Sequence, residues 1–224
     1  MNKILVIAAH PDDEILGLGG TLYKYTKNNE IVRSLILGQG IMSRGLNKEK
    51  GNLLIQELKV STELAAGEIG IKETYFSEFP DQKFDKINFL KIIQEIEKYM
   101  KIIRPDIVFT HYENDLNLDH RITFKAVVTA CRPFTGFSPK KIYCFETPSS
   151  TEWQLDGECF RPNVYVDIEK EIAIKLKAIK NYNTELRTWP HPRSLKGIKV
   201  LAQYRGRECG LKFAEGFILM REII

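Results

Sequence analysis

The chain has 224 residues, 43% of them hydrophobic, which is enough for one sizeable core and predicts a single domain over residues 1–224. The formal net charge is +4 with scattered basic residues, a balance that fits a small anionic substrate weakly and argues against a nucleic-acid-binding protein. No stretch approaches the ~20 apolar residues of a membrane span, and the first apolar run is too short for a signal peptide.

Cysteine usage indicates a reducing compartment. The four cysteines form no CxxC pair and show no regular spacing, and a chain of this length does not need disulfides to stabilise a core. We therefore expect a cytoplasmic protein with reduced, mostly buried thiols. The residues concerned are Cys131, Cys144, Cys159 and Cys209.

Strands and helices alternate through the first 146 residues. Apolar runs predict strands at 3–9, 30–38, 73–79, 106–111 and 141–146. Residues with helical spacing fall between them, at 13–27, 48–68, 87–103 and 119–132. This alternation predicts an α/β, Rossmann-like fold, with a mostly parallel sheet and helices on both faces.

The pattern changes after residue 146. The loop 147–162 contains Pro, Ser, Trp and Gly, and we expect it to be an active-site loop. A strand is predicted at 164–168 and a last strand at 216–224, with helices between them at 169–183 and 194–208.

Polar side chains follow two of the predicted strands. AHPDDE at residues 9–14 follows the first strand, and THYENDLNLDHR at residues 110–121 spans the exit of the strand DIVFTH. Three of the four histidines lie in these two segments. Because ligands of open α/β sheets bind outside the carboxyl ends of the strands, the two segments predict one functional site.

Two histidines and one aspartate have the spacing of a metal site. A catalytic zinc site needs three protein ligands and an open position for water. His10 and Asp13 are three residues apart at a strand-to-helix turn, so both can face one point, and His120 can complete the set from the neighbouring loop. Asp12 then remains free beside the metal and can act as general base toward the attacking water.

Helix capping is a simpler interpretation of the first acidic segment. Asp12 or Asp13 could accept the free N–H groups of the helix that follows and complement its dipole. Capping does not account for His10 or for the second polar segment, so the joint pattern favours a metal site.

The glycines after this segment suggest dinucleotide binding, but they do not fit it. Their spacing is not GxGxxG, and the three carboxylates before them would repel a pyrophosphate. We expect them to allow close packing of the helix beside the site. They are Gly17, Gly19 and Gly20.

AHPDDE after the first strand, with a DH pair far downstream, resembles the PIG-L / LmbE-like family of zinc-dependent N-acetylglucosamine deacetylases. The resemblance covers nearly the whole chain and extends to branch-specific segments typical of bacterial glycan and sugar biosynthesis, namely DLNLDHR (115–121), FETPSSTEW (145–153), WPHPRS (189–194) and YRGRECGLKFAEGF (204–217). It implies an LmbE-like fold, zinc held by His10, Asp13 and His120, and Asp12 as general base. The implied reaction is hydrolysis of an N-acetyl group from an amino sugar, and the family often forms homo-oligomers.

The second motif departs from the family pattern at one position. Many members have HxDH, in which the first histidine stabilises the oxyanion, whereas this chain has Asn117 there. An asparagine can donate a hydrogen bond but carries no positive charge. We predict a catalytic role for Asn117, with His111, Asp115 and His191 as the candidates if Asn117 does not suffice.

Asp119 and six further residues complete the predicted site. Asp119 is expected to orient a ligand histidine, with capping of the next helix as the alternative. Arg193 follows Trp189, a natural partner for a sugar ring, while Glu146 and Trp153 bracket the loop after a strand. The residues predicted to bind substrate are Arg44, His111, Asp115, Glu146, His191 and Arg193.

Four functions remain open from the sequence. The leading one is a zinc-dependent deacetylase of an N-acetylglucosamine-type sugar or its conjugate. A metal-dependent amide hydrolase with a different substrate is the alternative that Asn117 leaves open, and another divalent metal could replace zinc. A non-catalytic metal-binding protein is disfavoured because it would not need Asp12, and a nucleotide-dependent oxidoreductase because the chain has no phosphate loop.

Overall fold

A computed structural model describes residues 1–41, 48–133, 137–153 and 159–224. These residues contain a seven-stranded sheet with the order β3-β2-β1-β4-β5-β7-β6. The strands are Lys3–Ala8 (β1), Ile31–Gly38 (β2), Glu73–Phe79 (β3), Ile107–His111 (β4), Lys141–Phe145 (β5), Val164–Asp167 (β6) and Ala214–Glu222 (β7). Strand β7 runs antiparallel to both of its neighbours and the other pairings are parallel, as the mostly parallel prediction requires.

Helices cover both faces of the sheet. They are Asp13–Lys27 (α1), Lys48–Ile69 (α2), Phe89–Ile103 (α3), Leu118–Ala130 (α4), Ile172–Ile179 (α5) and Leu195–Glu208 (α6). Along β1 the side chains alternate, so that Ile4 and Val6 pack in a cluster with α1, α2, α5 and α6, while Leu5 and Ile7 pack in a cluster with α3 and α4. The predicted Rossmann-like arrangement is therefore confirmed.

Parallel pairing brings the functional segments to one edge. Ala8 of β1 pairs in register with Ile36 of β2, and β4 lies on the other side of β1 with Ile4 opposite Ile107. The carboxyl ends of β1, β2, β4 and β5 consequently lie together, and the two polar segments of the sequence leave the sheet there.

Most predicted elements differ from the structure by one or two residues at an end, and two of the differences have a clear reason. Helix α5 covers only Ile172–Ile179, not 169–183, because the chain makes turns on both sides of it. Strand β7 begins at Ala214, before the predicted start at 216, since Ala214 and Glu215 pair with β6. Ala214 pairs with Asp167, 47 residues earlier, and this pairing extends the strand into a segment that its local sequence does not predict to be a strand.

The cysteines are free, as expected, but only half of them are buried. Cys131 and Cys144 lie in the interior, and burial raises the pKa of each thiol to about 12. Cys159 and Cys209 are exposed, so the expectation of mostly buried thiols is wrong for this pair.

Candidate active site

The turn between β1 and α1 places Asp12 in a conformation that few residues adopt. Its φ is 97° and its ψ is −29°, in the left-handed region where side chains other than glycine are uncommon. The residue is 1% exposed, and its side chain makes no capping hydrogen bond to α1. The capping interpretation of Asp12 is therefore wrong, and the strained turn directs the carboxylate elsewhere.

Three side chains converge beside this turn. The ring nitrogen Nδ1 of His10 lies 3.6 Å, and Nε2 of His120 lies 3.3 Å, from Oδ2 of Asp13. Both Asp13 and His120 are fully buried, yet Asp13 Oδ1 and His120 Nε2 have no hydrogen-bond partner. Buried polar atoms without partners are rare, and two of them side by side fit a site that could hold a ligand.

The three side chains fit a divalent metal. Ligand atoms at about 2.1 Å from a tetrahedral zinc ion are separated by about 3.4 Å, close to the distances of Asp13 to the two imidazoles. One ring nitrogen from each of His10 and His120 and one carboxylate oxygen from Asp13 all lie within 4.8 Å of one another. Two imidazoles and one carboxylate are also the donor types that zinc prefers.

Each histidine is held by a carboxylate on its other ring nitrogen. Asp119 Oδ2 accepts a hydrogen bond from His10 Nε2 at 3.1 Å, and Asp115 Oδ1 lies 3.2 Å from His120 Nδ1. This leaves Nδ1 of His10 and Nε2 of His120 directed at Asp13. A carboxylate behind a ligand histidine is the usual means of orienting it in metal sites.

Asp119 does not cap α4. Asn117 occupies the capping position, and its Oδ1 accepts a hydrogen bond from the Asp119 backbone N–H at 2.9 Å. The Asp119 carboxylate instead accepts backbone N–H groups of Gln82 at 2.8 Å and Phe84 at 3.1 Å, in addition to His10. Its geometry is that of an orienting carboxylate, the first of the two roles that the sequence allowed.

The electrostatics of the cluster favour a bound cation. Burial alone lowers the pKa of His10, but hydrogen bonds to Asp119 and Asp13 raise it to about 10. Burial also lowers the pKa of His120, but Asp13 and Asp115 raise it to about 8. Burial raises the pKa of Asp13, but the neighbouring His120 and His10 hold it well below its usual range. The carboxylates that stabilise protonated imidazoles here equally stabilise a metal ion.

Asp12 faces a small cavity next to the cluster. The cavity has a volume of about 120 Å³, and its wall includes His10, Asp12, Asn117 and Arg193. Burial raises the pKa of Asp12, while Arg193, whose Nη1 lies 3.0 Å from Asp12 Oδ2, opposes that rise. Arg193 is held in turn by Ser149 Oγ, 2.8 Å from its Nε. The loop after β5 thus supports the residue that contacts Asp12.

The structure separates the predicted substrate-binding residues into groups. Arg193 lines the cavity, whereas Arg44 lies outside the described residues. Asp115 and His111 are fully buried and present no surface for a substrate. Asp115 contacts His120, Ser150 and Thr151, and His111 Nε2 accepts the backbone N–H of Ala9 at 2.9 Å.

Glu146 and His191 also lie away from the wall of the small cavity. Glu146 accepts two hydrogen bonds from Arg205, both 2.7 Å, beside a larger cavity of about 520 Å³. His191 Nδ1 accepts the backbone N–H of Arg193 at 3.0 Å, so it supports the turn that carries Arg193. Direct substrate contact by these two residues stays a prediction.

Two acidic residues of the cavity wall were missed by the sequence reasoning. Asp81 is 4% exposed, and its Oδ1 lies 3.3 Å from His10 Nε2. It follows β3, so the rule that singles out strand exits could have found it. Glu185 Oε2 lies 3.8 Å from Arg193 Nη1, but it follows a short helix and turn and carries no local signal.

Within the part of the chain that the structure describes, no helix is long and apolar enough to cross a membrane.

The chain is similar to proteins of known name and known structure. The chain is 27% identical over 229 residues to the diacetylchitobiose deacetylase of Thermococcus kodakarensis, covering 96% of this chain and 82% of that one. The N,N'-diacetylchitobiose deacetylase structure from Pyrococcus horikoshii superposes with a TM-score of 0.78 at 24% identity, over 98% of this chain and 84% of that one. The 4-carboxy-2-hydroxymuconate hydratase GalB of Pseudomonas putida has the same fold, with a TM-score of 0.75 at 18% identity over 100% and 98% of the two chains.

A family model settles the relationship. The model of PIG-L, described as GlcNAc-PI de-N-acetylase, matches residues 5–131, which is more than half of the chain and includes both polar segments. The chain belongs to the PIG-L family.

Proposed function

We propose that the protein is a zinc-dependent hydrolase that removes the acetyl group from an N-acetylglucosamine-type amino sugar or its conjugate. The observation that supports the proposal is the cluster of His10, Asp13 and His120, in which two buried polar atoms have no hydrogen-bond partner. Beside this cluster lies the carboxylate of Asp12, which does not cap α1. Family membership and the relative named a diacetylchitobiose deacetylase support the same reaction.

His10, Asp13 and His120 would hold the metal. When bound, the ion supplies Lewis acidity, which acidifies water and polarises the carbonyl oxygen of the acetyl group. Asp115 and Asp119 hold the two imidazoles in the tautomers that present a lone pair to the ion, since each accepts the proton of the other ring nitrogen.

Asp12 is the general base in this proposal. It takes a proton from water as the water oxygen bonds to the acetyl carbon, and it returns that proton to the sugar nitrogen as the C–N bond breaks. The products are acetate and a free amine. Arg193 keeps the Asp12 carboxylate oriented through the contact between its Nη1 and Asp12 Oδ2.

Asn117 is suited to stabilise the negative charge that develops on the carbonyl oxygen. Its Oδ1 is fixed by the Asp119 N–H, so the side-chain amide lines the cavity in a set orientation and offers its Nδ2–H donors. His191 is not on the cavity wall, so Asn117 is the stronger candidate of the two for this role.

An amide hydrolase with a different substrate is the second candidate. Asn117 replaces the histidine of the usual family motif, and this change alters the group nearest to the developing charge. The hydratase GalB, which shares the fold, illustrates that the fold alone does not determine the reaction.

Acetate release tests the proposal. The metal-loaded protein is incubated with N-acetylglucosamine, diacetylchitobiose, the UDP form of the sugar and its inositol and malate conjugates, each with a chelator-treated control and with Asp12→Asn. Chelator-sensitive acetate release that Asp12→Asn loses supports a deacetylase, and the preferred substrate identifies the conjugate. If the metal-loaded protein releases acetate from none of them, the second candidate is favoured.

A further inference from the structure

Glu14 is a buried acid beside the candidate active site, and the proposed mechanism does not use it. It is the last residue of the segment AHPDDE and is 1% exposed. Burying a carboxyl group costs free energy unless hydrogen bonds replace its contacts with water. The groups that bond to Glu14 therefore indicate what the residue does.

Both oxygens of the Glu14 carboxylate have a partner. Oε2 accepts the backbone N–H of Asp12 at 3.2 Å, and Oε1 accepts the hydroxyl of Tyr182 at 2.6 Å. Tyr182 follows α5, 168 residues further along the chain, and it is fully buried in the same core cluster as Ile4 of β1. The carboxylate thus joins the turn after β1 to a fixed point in the core.

The backbone of Asp12 is held on both sides. Its N–H is bonded to Glu14, and its C=O accepts the N–H groups of Ile15 at 3.1 Å and Leu16 at 2.8 Å. A residue other than glycine with a φ of 97° is strained, and such a conformation persists only where the surroundings enforce it. Because α1 fixes the C=O, the direction of the N–H sets the φ of Asp12.

Capping of α1 is the simpler interpretation of this contact. In a capping box, a glutamate of the first turn bonds to the N–H of the residue before the helix, whose side chain caps the helix in return. Here the return bond is missing, because the Asp12 carboxylate makes no capping bond and its Oδ2 lies 3.0 Å from Nη1 of Arg193. The contact with Glu14 therefore leaves the Asp12 carboxylate free for the cavity.

We propose that Glu14 and Tyr182 are positioning residues, which hold the backbone of Asp12 in the left-handed turn so that its carboxylate faces the cavity. The inference rests on the proposed role of Asp12 as general base and adds the groups that orient it from the backbone side. Arg193 fixes the other end, at the carboxylate. The bond to the Asp12 N–H needs an acceptor oxygen and not a negative charge, so glutamine can replace Glu14.

Three variants test the effect on catalysis. Glu14→Ala removes the acceptor, and Tyr182→Phe removes the hydroxyl but keeps the ring. Each should lower kcat about 10–100-fold and leave KM and zinc affinity unchanged, because a displacement of about 1 Å at a reacting group can cost about 10²-fold. Glu14→Gln should restore most of the lost kcat, since its Oε1 accepts the Asp12 N–H and its amide group donates to the Tyr182 oxygen.

Tyr99→Phe is the matched control. Tyr99 lies on α3, on the opposite face of the sheet, so this variant loses a tyrosine hydroxyl away from the site and should keep the wild-type kcat. An unchanged kcat in Glu14→Ala or in Tyr182→Phe would overturn the proposal, as would a Glu14→Gln variant as slow as Glu14→Ala. Loss of zinc affinity together with kcat would also overturn it, because the affected residue would then be Asp13.

Amide hydrogen exchange gives a readout that does not need turnover. In the zinc-loaded protein, Glu14→Ala should speed exchange of the Asp12 amide about tenfold or more, while the amides of Ile15 and Leu16 exchange as in the wild type. Faster exchange of all three would show that Glu14 only caps α1, and unchanged exchange at Asp12 would show that Glu14 does not hold the turn. Either result refutes the inference. If no sugar substrate is found, the proposed function fails, but this exchange pattern still decides the role of Glu14.

Discussion

At the scale of single residues, the arrangement around Asp12 fits its proposed role as general base. The residue is buried, strained in its backbone and free of any capping bond, and its carboxylate contacts Arg193. Burial of the carboxylate and strain in its backbone both cost free energy, and Arg193 offsets part of the cost of burial. Strain and desolvation of this kind accumulate where a carboxylate must remain next to a reacting group.

Asp12→Asn should lower kcat about 10²–10⁴-fold while metal binding stays intact. Asparagine is the matched substitution, because it tolerates the left-handed backbone better than alanine does and preserves the side-chain shape. Metal content by atomic absorption and initial rates with the best substrate check this expectation. Loss of the metal together with activity would instead make Asp12 a ligand.

Asn117→Asp separates catalysis from capping at the start of α4. Aspartate keeps the capping acceptor but removes the Nδ2–H donors, so the helix should survive while kcat falls about 10²–10³-fold. Asn117→Ala would lose both contributions and serves as the comparison. A thermal midpoint equal to the wild type with an unchanged kcat for Asn117→Asp would remove Asn117 from the mechanism.

Asp115→Asn should weaken metal binding about 10–100-fold, because the His120 imidazole would lose the carboxylate that orients it. Competition with a chromophoric chelator measures this affinity. The exposed Asp85→Asn is the control for a change of one aspartate, and it should bind metal as the wild type does. Equal affinities of Asp115→Asn and the wild type would indicate that Asp115 has no positioning role.

At the scale of elements, helix α1 is kinked next to the site, and a side chain of β7 accepts the N–H groups that the kink leaves free. Leu18 has φ −145°, outside the helical region, and the following N–H groups of Gly20 and Thr21 are accepted by Glu215 of β7. Lys175 of α5 donates to the same carboxylate. The carboxylate therefore caps the second half of α1 and ties three elements together, a role for Glu215 that its sequence context does not reveal.

Glu215→Gln should destabilise the protein by about 3 kcal/mol, since it leaves the ammonium of Lys175, which is 4% exposed, buried without its ion partner. Urea denaturation measures the change. Adding Lys175→Met to the variant should restore part of the loss, because the buried charge is then gone. The exposed pair of Lys212 and Glu169 offers a control, and Glu169→Gln should leave the unfolding midpoint unchanged.

The glycines of α1 confirm a sequence expectation at this scale. A Cβ on Gly17 would lie 2.4 Å from the Phe145 ring, and one on Gly20 would lie 2.9 Å from Ile168. These glycines let α1 pack against the end of β5 and the loop after β6, next to the site. They serve helix packing, as predicted, and not phosphate binding.

At the scale of the whole molecule, the proposed metal connects distant parts of the chain. His10 and Asp13 lie just after β1, whereas His120 lies on α4, more than 100 residues further along the chain. An ion bound only by the folded state raises stability by about 2.7 kcal/mol when its concentration is 100 times its dissociation constant. Removing it should therefore loosen the carboxyl edge of the sheet as a whole.

Zinc at this excess should raise the thermal midpoint by about 5 °C or more relative to the chelator-treated protein. Differential scanning calorimetry of the two forms measures the shift. His120→Ala should abolish it, because the variant lacks one of three ligands. A zinc-dependent shift of the same size in His120→Ala would mean that the stabilising ion binds elsewhere.

The local pattern of the sequence determined most of the secondary structure and named the principal site residues. Apolar runs and helical spacing are encoded by neighbours, and the rule that ligands bind at strand ends led directly to His10, Asp12, Asp13 and His120. Resemblance to the PIG-L family then supplied their expected roles.

Only the tertiary structure decided what each carboxylate contacts. Asp119 orients His10 across 109 residues, and Asp115 is a buried partner of His120 and not a residue that faces substrate. Glu146 pairs with Arg205, while Glu185 comes to the cavity wall from a segment without any local signal. A carboxylate has the same local sequence signature whether it caps, pairs or binds, because its role depends on groups that only folding brings within hydrogen-bond distance.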